Sequence, residues 1–310
     1  MRRRLRILLI MLLACIAAGC GRDAPATQRV AATRADAGVT VVAAGDIACP
    51  PGQRPTRRGC GQAATARLAA SVHPAALLPL GDTQYPAGRL AEYRGSYAHS
   101  WGRLLSVTHP ATGNHEYAAS KTAAGYRAYF GARGVPAGAT YYSYDVGSWH
   151  LIALDSNCSF VGGCQRGSKQ QRWLAADLKA HPSRCALAYW HHPRFSSGIV
   201  HGSTKEMDPL FMTLDAGGVD VLLSGHEHQY ERFAPQHHNG TPATSGIRQF
   251  VVGTGGMSLY PFGPRIRNSQ VRRNDSFGVL VLRLQPTGYA WTFRPTTRGA
   301  GRDRGSGGCR

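Results

Sequence analysis

Three apolar runs in this chain stop at a glycine that is followed at once by a side chain able to hold a metal ion. Val39–Ala44 ends at Gly45-Asp46, Ala76–Leu80 at Gly81-Asp82, and Val219–Leu223 at Ser224-Gly225-His226. A fourth run, Cys185–Trp190, passes straight into His191-His192-Pro193, and Gly113-Asn114-His115-Glu116 repeats the pairing of glycine with ligand. Short apolar runs bounded by turn residues read as buried strands. Glycine lets the backbone turn sharply where such a strand stops. In α/β sheets, ligands gather outside the carboxyl ends of the strands. The pattern therefore demands a fold in which distant strand ends meet at one place.

The intervening sequence fits an α/β domain over residues 38–295. Helices are expected near Ala63–Val72, Leu90–Leu104 and Ser168–Ala180, the last with Leu174 and Leu178 on one face. Tyr141–Val146 and Trp149–Leu154 flank Gly147-Ser148, a hairpin signal. Tyr141, Tyr142 and Trp149 read as packing residues. Further strands are expected at Gln249–Val252, Gly278–Leu284 and Tyr289–Phe293. Residues 296–310 are rich in glycine and arginine and read as a mostly disordered tail, apart from whatever Cys309 secures. With 310 residues, 43% of them hydrophobic, the chain can bury a sizeable core without repeats.

The N-terminus is of another kind. Arg2, Arg3, Arg4 and Arg6 precede an apolar run from Ile7 to Ala18, and small residues lead to Cys20. This order reads as a secretory signal over residues 1–20. Ala17-Ala18-Gly19-Cys20 resembles a bacterial lipobox, so Cys20 is expected to carry lipid and attach the chain to a membrane, with 21–37 as a flexible tether. The protein is thus expected to be exported, as a cell-surface lipoprotein or in secreted form. Of the 8 cysteines, Cys15 leaves with the leader and Cys20 goes to lipid, so an even set remains for an oxidising compartment. Short loops favour Cys49–Cys60 and Cys158–Cys164, which leaves Cys185–Cys309. No Cys-x-x-Cys pair occurs, and a zinc–thiolate site ranks below disulfides. The formal charge of +19 falls to +15 when the four leader arginines go. The basic residues are scattered and accompany no nucleic-acid module, so they read as a general attraction for anions rather than a specific nucleic-acid interface.

Singly, each ligand motif is modest: a Gly-Asp pair is usually a turn, and Asn-His-Glu could cap a helix. Together, from Asp46 to His228, their order and residue types resemble the calcineurin-like metallophosphoesterase superfamily. Two details resemble its purple acid phosphatase branch. Asp46-Ile47-Ala48 stands where much of the superfamily has Asp-x-His, with Tyr85 three residues after Asp82, and the last motif continues into Tyr230-Glu231-Arg232. The resemblance implies a four-layer α/β/β/α sandwich of two mixed sheets flanked by helices. It also implies one metal site of Asp46, Asp82, Tyr85 and His228, and another of Asp82, Asn114, His191 and His226, bridged by Asp82. Phenolate and carboxylate oxygens suit Fe3+, whereas imidazoles with an amide oxygen suit Zn2+, Mn2+ or Fe2+. Two ions about 3.5–4 Å apart can clamp the attacking and leaving oxygens of an in-line displacement at phosphorus. His115 resembles the family's general acid, with Glu116 as its orienting partner. His192 and His201 are possible substrate contacts, with a surface or packing role equally open. His237 and His238 read as exposed loop residues.

The leading reading is an exported phosphatase that hydrolyses small phosphate monoesters by attack of metal-activated hydroxide. A phosphodiesterase acting on nucleotides or lipid head groups stays open, because specificity lies in loops such as 117–140 and 194–210. A lipoprotein that only captures phosphate or polyanions is a different class; it would need no general acid, so His115 argues for catalysis.

Overall fold

Apolar residues at alternate positions on successive strands call for layers, and the computed structural model, which describes residues 38–182 and 185–310, is built of them. The leader, Cys20 and the 21–37 tether lie outside the described residues. In chain order the first elements are β1 (Val39–Ala44), α1 (Gln62–Ala70), β2 (Ala76–Pro79), α2 (Leu90–Gly95), α3 (Asn114–Ala118), α4 (Ala124–Phe130), β3 (Tyr142–Val146) and β4 (Trp149–Ala153). Then come α5 (Lys169–Ala180), β5 (Cys185–Tyr189), α6 (Asp208–Ala216), β6 (Val221–Ser224), β7 (Tyr230–Phe233) and β8 (Arg248–Val252). The last are β9 (Ser269–Arg273), β10 (Gly278–Gln285), β11 (Gly288–Pro295) and β12 (Asp303–Gly308).

Two mixed sheets result. One has the order β12-β11-β10-β1-β2, the other β3-β4-β5-β6-β8-β7-β9. In the second, β4, β5, β6 and β8 run parallel, with antiparallel strands at both edges. Parallel strands are buried on both faces. Leu151, Leu187, Val221 and Leu223 turn one way and join Val41, Leu78, Leu282 and Phe293 in the core between the sheets. Ile152, Ala186, Ala188 and Leu222 turn the other way, onto Leu174 of α5 and Leu210, Phe211 and Leu214 of α6. Ala66 and Ala69 of α1 and Trp101 complete the packing of the first sheet. The architecture is the α/β/β/α sandwich. Ser168 caps α5, its hydroxyl accepting the Gln171 N–H at 3.3 Å.

All three expected disulfides are formed: Cys49–Cys60, Cys158–Cys164 and Cys185–Cys309. Tyr141, Tyr142 and Trp149 are buried as expected. Two expectations need correction. The helix expected over Leu90–Leu104 ends at Gly95, because the backbone breaks at Ser96 and continues in 3-10 turns. There the Tyr97 N–H turns to the side-chain oxygen of Gln84 at 3.0 Å. The 296–310 segment is no disordered tail, since Asp303–Gly308 forms edge strand β12 along β11. The glycines that suggested disorder are what fit it there. A Cβ at Gly307 would lie 2.8 Å from the Tyr289 ring, and one at Gly305 would strike Trp291. Asp303 pins the strand by accepting the Tyr230 hydroxyl at 2.6 Å, Arg232 Nε at 2.7 Å and Trp291 Nε1 at 3.1 Å. His237 and His238 are half-buried and paired with Asp215 and Asp208, so they are not free loop residues.

Candidate metal centre

The loops leaving β1 and β2 are zipped together. Asp46 N–H donates to Gly81 O at 3.1 Å and Ile47 N–H to Asp82 O at 2.9 Å. Asp46, Asp82 and His226, each just past a strand end, have φ of 60°, 47° and 70°. That left-handed conformation is costly for residues with a Cβ and concentrates at functional sites. Here it turns three side chains back over the sheet edge. Gly113 lies so close to Asp82 that any side chain there would strike the carboxylate, and it delivers Asn114 to the start of α3.

Each aspartate has one oxygen pinned by the backbone and one aimed at the centre. Asp46 Oδ2 accepts the His226 N–H at 2.9 Å, and Asp82 Oδ1 accepts the His115 N–H at 2.8 Å. The other oxygens converge. Tyr85 Oη lies 3.1 Å from Asp46 Oδ1, 2.8 Å from Asp82 Oδ2 and 3.1 Å from His228 Nε2. His228 Nε2 is 3.3 Å from Asp46 Oδ1. On the far side of Asp82, His191 Nε2 is 3.3 Å from the same Oδ2, 3.2 Å from Asn114 Oδ1 and 3.2 Å from His226 Nδ1. The seven residues named as ligands from the sequence therefore meet, in two sets that share Asp82 Oδ2.

The donor set fits metal ions. His191 Nδ1 faces the Leu80 carbonyl at 2.8 Å and must donate to it, so Nε2 is the atom turned to a carboxylate oxygen, an amide oxygen and another imidazole nitrogen, a place for positive charge. His228 Nδ1 likewise engages Ser258 Oγ at 2.7 Å, leaving Nε2 for the centre. Such a convergence of lone pairs needs cations. The titration behaviour says the same. Burial works against a charged His191 ring, but the Asp82 carboxylate overrides it and lifts the pKa to about 9. Burial would raise Asp82, yet His191 and His115 hold its carboxyl well below the usual range. Burial and then the His191 charge push His226 far down and His192 down to about 3. Burial, Asp82 and Asp46 keep the Tyr85 phenol protonated far above its ordinary value.

His115 sits at the rim. Its ring lies 4.1 Å from that of Tyr85, its Nδ1 donates to Pro86 O at 2.5 Å, and its Nε2 is 3.8 Å from Asp82 Oδ2. Glu116 does not orient it. The Glu116 carboxylate is buried and accepts Asp82 N–H at 2.9 Å, Gly113 N–H at 2.6 Å, Thr83 N–H at 2.9 Å and the Tyr93 hydroxyl at 3.0 Å. It clamps the loop that carries Asp82 to the one that carries Asn114. His192 packs its ring 4.3 Å from that of His226, with Nδ1 2.7 Å from Ser156 Oγ. His201 stacks on His226 at 4.0 Å, held there by its N–H to buried Glu227 at 2.6 Å. Sequence reasoning missed the residues that back the ligands: Ser258, Tyr260 stacked on His228 at 3.9 Å, and Glu227. Glu227 lies inside a ligand motif, and its place between His226 and His228 was the available signal. Ser258 and Tyr260 gave none.

With that geometry in place, residues 39–230 match the family described as Calcineurin-like phosphoesterase. The chain belongs to that family. Its relatives include two proteins of Arabidopsis thaliana, Purple acid phosphatase 18, 35% identical over 37% of this chain and 26% of its own, and Purple acid phosphatase 15, 30% identical over 50% and 32%. The chain thus spans about a quarter to a third of the length of these relatives. Among solved structures, the purple acid phosphatase from yellow lupin seeds superposes with a TM-score of 0.71 at 18% identity, covering 86% of this chain and 53% of the lupin chain. GAP50, described as the anchor in the inner membrane complex of Plasmodium, superposes with a TM-score of 0.63 at 16% identity, over 88% and 89%. These likenesses establish the fold of this calcineurin-like phosphoesterase. That an anchor shares the fold means activity must be argued from the site.

Proposed function

We propose that this calcineurin-like phosphoesterase is an exported hydrolase of small phosphate monoesters. The observation that carries the reading is the shared Asp82 Oδ2: 2.8 Å from Tyr85 Oη on one side and 3.3 Å from His191 Nε2 on the other, it belongs to two donor sets at once. One set is Asp46, Asp82, Tyr85 and His228, the other Asp82, Asn114, His191 and His226. A pair of ions held there would supply a nucleophile from water near neutral pH and offset charge on phosphoryl oxygens. The phenol and carboxylate oxygens of Tyr85, Asp46 and Asp82 in the first set would suit a hard ion such as Fe3+. The imidazole-rich second set suits Zn2+, Fe2+ or Mn2+.

The chain's own residues divide the remaining work. Asp82, Asn114, His191, His226 and His228 would hold the ions at the sheet edge, and the phosphoryl group would bind against those ions. His115, its Nδ1–H spent on Pro86 O, presents Nε2 at the rim and gives a proton to the leaving alkoxide. His192, neutral in its buried position, and exposed His201 lie beside His226 and donate to phosphoryl oxygens. Three disulfides agree with folding in an oxidising compartment after export, and a lipid at Cys20 would hold the protein at a membrane. Metal analysis of the purified protein, with turnover of p-nitrophenyl phosphate and bis-p-nitrophenyl phosphate, tests the reading. It expects two metal equivalents and faster turnover of the monoester. Faster turnover of the diester would replace it with phosphodiesterase activity. Metal-loaded protein that turns over neither compound would sink it.

A further inference from the structure

A groove of about 630 Å³ opens beside the second ligand set, within the range of small-molecule sites. Asn114 and His192 line its inner end, and Ser156, Asn157, Phe160 and Glu206 line the rest. Its walls are fixed. The Cys158–Cys164 disulfide closes the loop that carries Phe160. Buried Asp155 anchors the same loop, its Oδ1 accepting Asn157 N–H at 2.9 Å and Asn157 Nδ2 at 2.8 Å. Asp155 Oδ2 takes the Tyr117 hydroxyl at 2.6 Å, so the loop is tied to the helix that presents Asn114 and His115.

Two features define what the groove suits. Phe160 is 42% exposed. One face of its ring stacks on Tyr117 at 4.6 Å and 5°, which leaves the other face for a flat partner. The second feature is charge. In a chain of formal charge +19, no lysine or arginine among the described residues lines this groove. Of the basic residues nearest in sequence, Arg166 lines a different depression, and Lys205 lines one that adjoins the groove across Glu206. The one ionisable acid in the groove, Glu206, is exposed and has no hydrogen bond or ion pair among the described residues. Within the groove a second phosphate would meet the Glu206 carboxylate and no lysine or arginine of the lining.

We infer that the groove receives the alcohol half of the substrate, and that this half carries a flat ring and no further phosphate, as in a nucleoside monophosphate. The inference rests on the phosphoesterase reading and narrows its substrate class. Hydroxyls of the ring-bearing group meet Ser156 and Asn157, the ring covers Phe160, and Glu206 turns away polyphosphates.

The test compares adenosine monophosphate, glycerol phosphate and adenosine triphosphate as substrates of the metal-loaded protein. The same comparison by calorimetric binding uses a nucleoside phosphonate and propylphosphonate, which need no turnover. The expected result is a KM for the nucleoside monophosphate roughly threefold to tenfold below that for glycerol phosphate, in line with one stacking contact. Phe160→Ala is expected to erase that gap, lowering kcat/KM for the nucleoside monophosphate several-fold more than for glycerol phosphate. Glu206→Lys is expected to raise the relative kcat/KM for the triphosphate about tenfold. Equal KM values in the parent protein, an equal loss on both monoesters in Phe160→Ala, or a preference for the triphosphate would overturn the inference. Tight phosphonate binding that depends on Phe160, without hydrolysis of any ester, would overturn the phosphoesterase reading and leave the groove assignment standing.

Discussion

Two clusters of histidine and aspartate occupy opposite ends of the seven-stranded sheet, and only one of them calls for metal. At the amino end, His150 of β4 lies between two carboxylates, with Nδ1 2.8 Å from Asp145 Oδ1 and Nε2 2.9 Å from Asp177 Oδ2. Asp177 Oδ1 takes the Ser143 hydroxyl at 2.6 Å. Each ring nitrogen has its own acceptor, so a doubly protonated imidazole satisfies the whole cluster. At the carboxyl end, His191 Nδ1 donates to a carbonyl, and its Nε2 faces a carboxylate oxygen, an amide oxygen and another ring nitrogen at once, more than a single proton can satisfy. The residue types are the same. What differs is the balance of donors and acceptors: a proton closes the first cluster, and metal ions are needed to close the second.

The largest effect should come from removing the shared oxygen. Asp82→Ala is expected to lose both metal equivalents and to slow p-nitrophenyl phosphate turnover at least roughly a thousandfold, since several kcal/mol of charge stabilisation go with them. The His150 cluster remains intact in that variant and is expected to bind no metal tightly in compensation. Elemental analysis after gel filtration decides both points. A full metal complement in Asp82→Ala would show that the two clusters had been wrongly distinguished.

His115 separates proton transfer from metal chemistry at the same end of the sheet. His115→Ala is expected to slow alkyl phosphates by about 10²–10⁴-fold. For p-nitrophenyl phosphate, whose leaving group needs little protonation, the loss should be within about tenfold. Metal content should not change. An equal loss on both substrates would remove the acid role.

Glu116 asks whether the clamp beneath the ligands matters as much as the ligands. Burial, then repulsion from Asp82, raises its carboxyl pKa, while the N–H groups it accepts oppose that rise. Glu116→Gln would place an amide NH2 against backbone N–H donors. Metal affinity should fall roughly 10–100-fold, the usual effect of loosening residues behind a metal ligand. A titration with Zn2+ under chelator competition measures it. Unchanged affinity would mean that the Asp82 loop is held well enough by its bonds to the β1 loop.

The two ends also differ in how much of them could be read from the sequence. Asp46, Asp82 and His226 were legible because each follows a glycine at the end of an apolar run, and all seven residues proposed as ligands meet where that pattern implied. Glu116 was legible as a member of a motif but was given the wrong work: adjacency to His115 in sequence suggested contact, whereas consecutive helical residues point in different directions. The His150 cluster gave no signal, because Asp145, His150 and Asp177 come from a strand, its hairpin partner and a helix, and only their pairing joins them. β12 was misread for a physical reason too. Composition suggests disorder when it lacks apolar side chains, but here the apolar surface is supplied by Tyr289 and Trp291 of the neighbouring strand, and bare glycine backbone is what packs on it.

The smallest effect, and the one that tests the proton-closed cluster directly, is on stability. Burial opposes charge on His150, but its hydrogen bonds to Asp177 and Asp145 prevail and raise its pKa above the ordinary 6.5. A group whose folded pKa is raised stabilises fully at pH below its unfolded value, and that contribution disappears as pH climbs through the folded value. His150→Gln keeps one donor and loses the charge. It should therefore cost about 1–3 kcal/mol at acid pH, the range for a hydrogen bond to a charged partner, and progressively less as pH rises. Urea denaturation of both proteins across the pH range measures the difference, and titration of the metal ligands, common to both, cancels. His181, which stacks on His150 at 4.6 Å and lies 3.3 Å from Asp177, is present in both as well. A cost independent of pH would mean that the ring is neutral in the folded protein. Asp145 or Asp177 would then face a lone pair, and this cluster would resemble the metal centre after all.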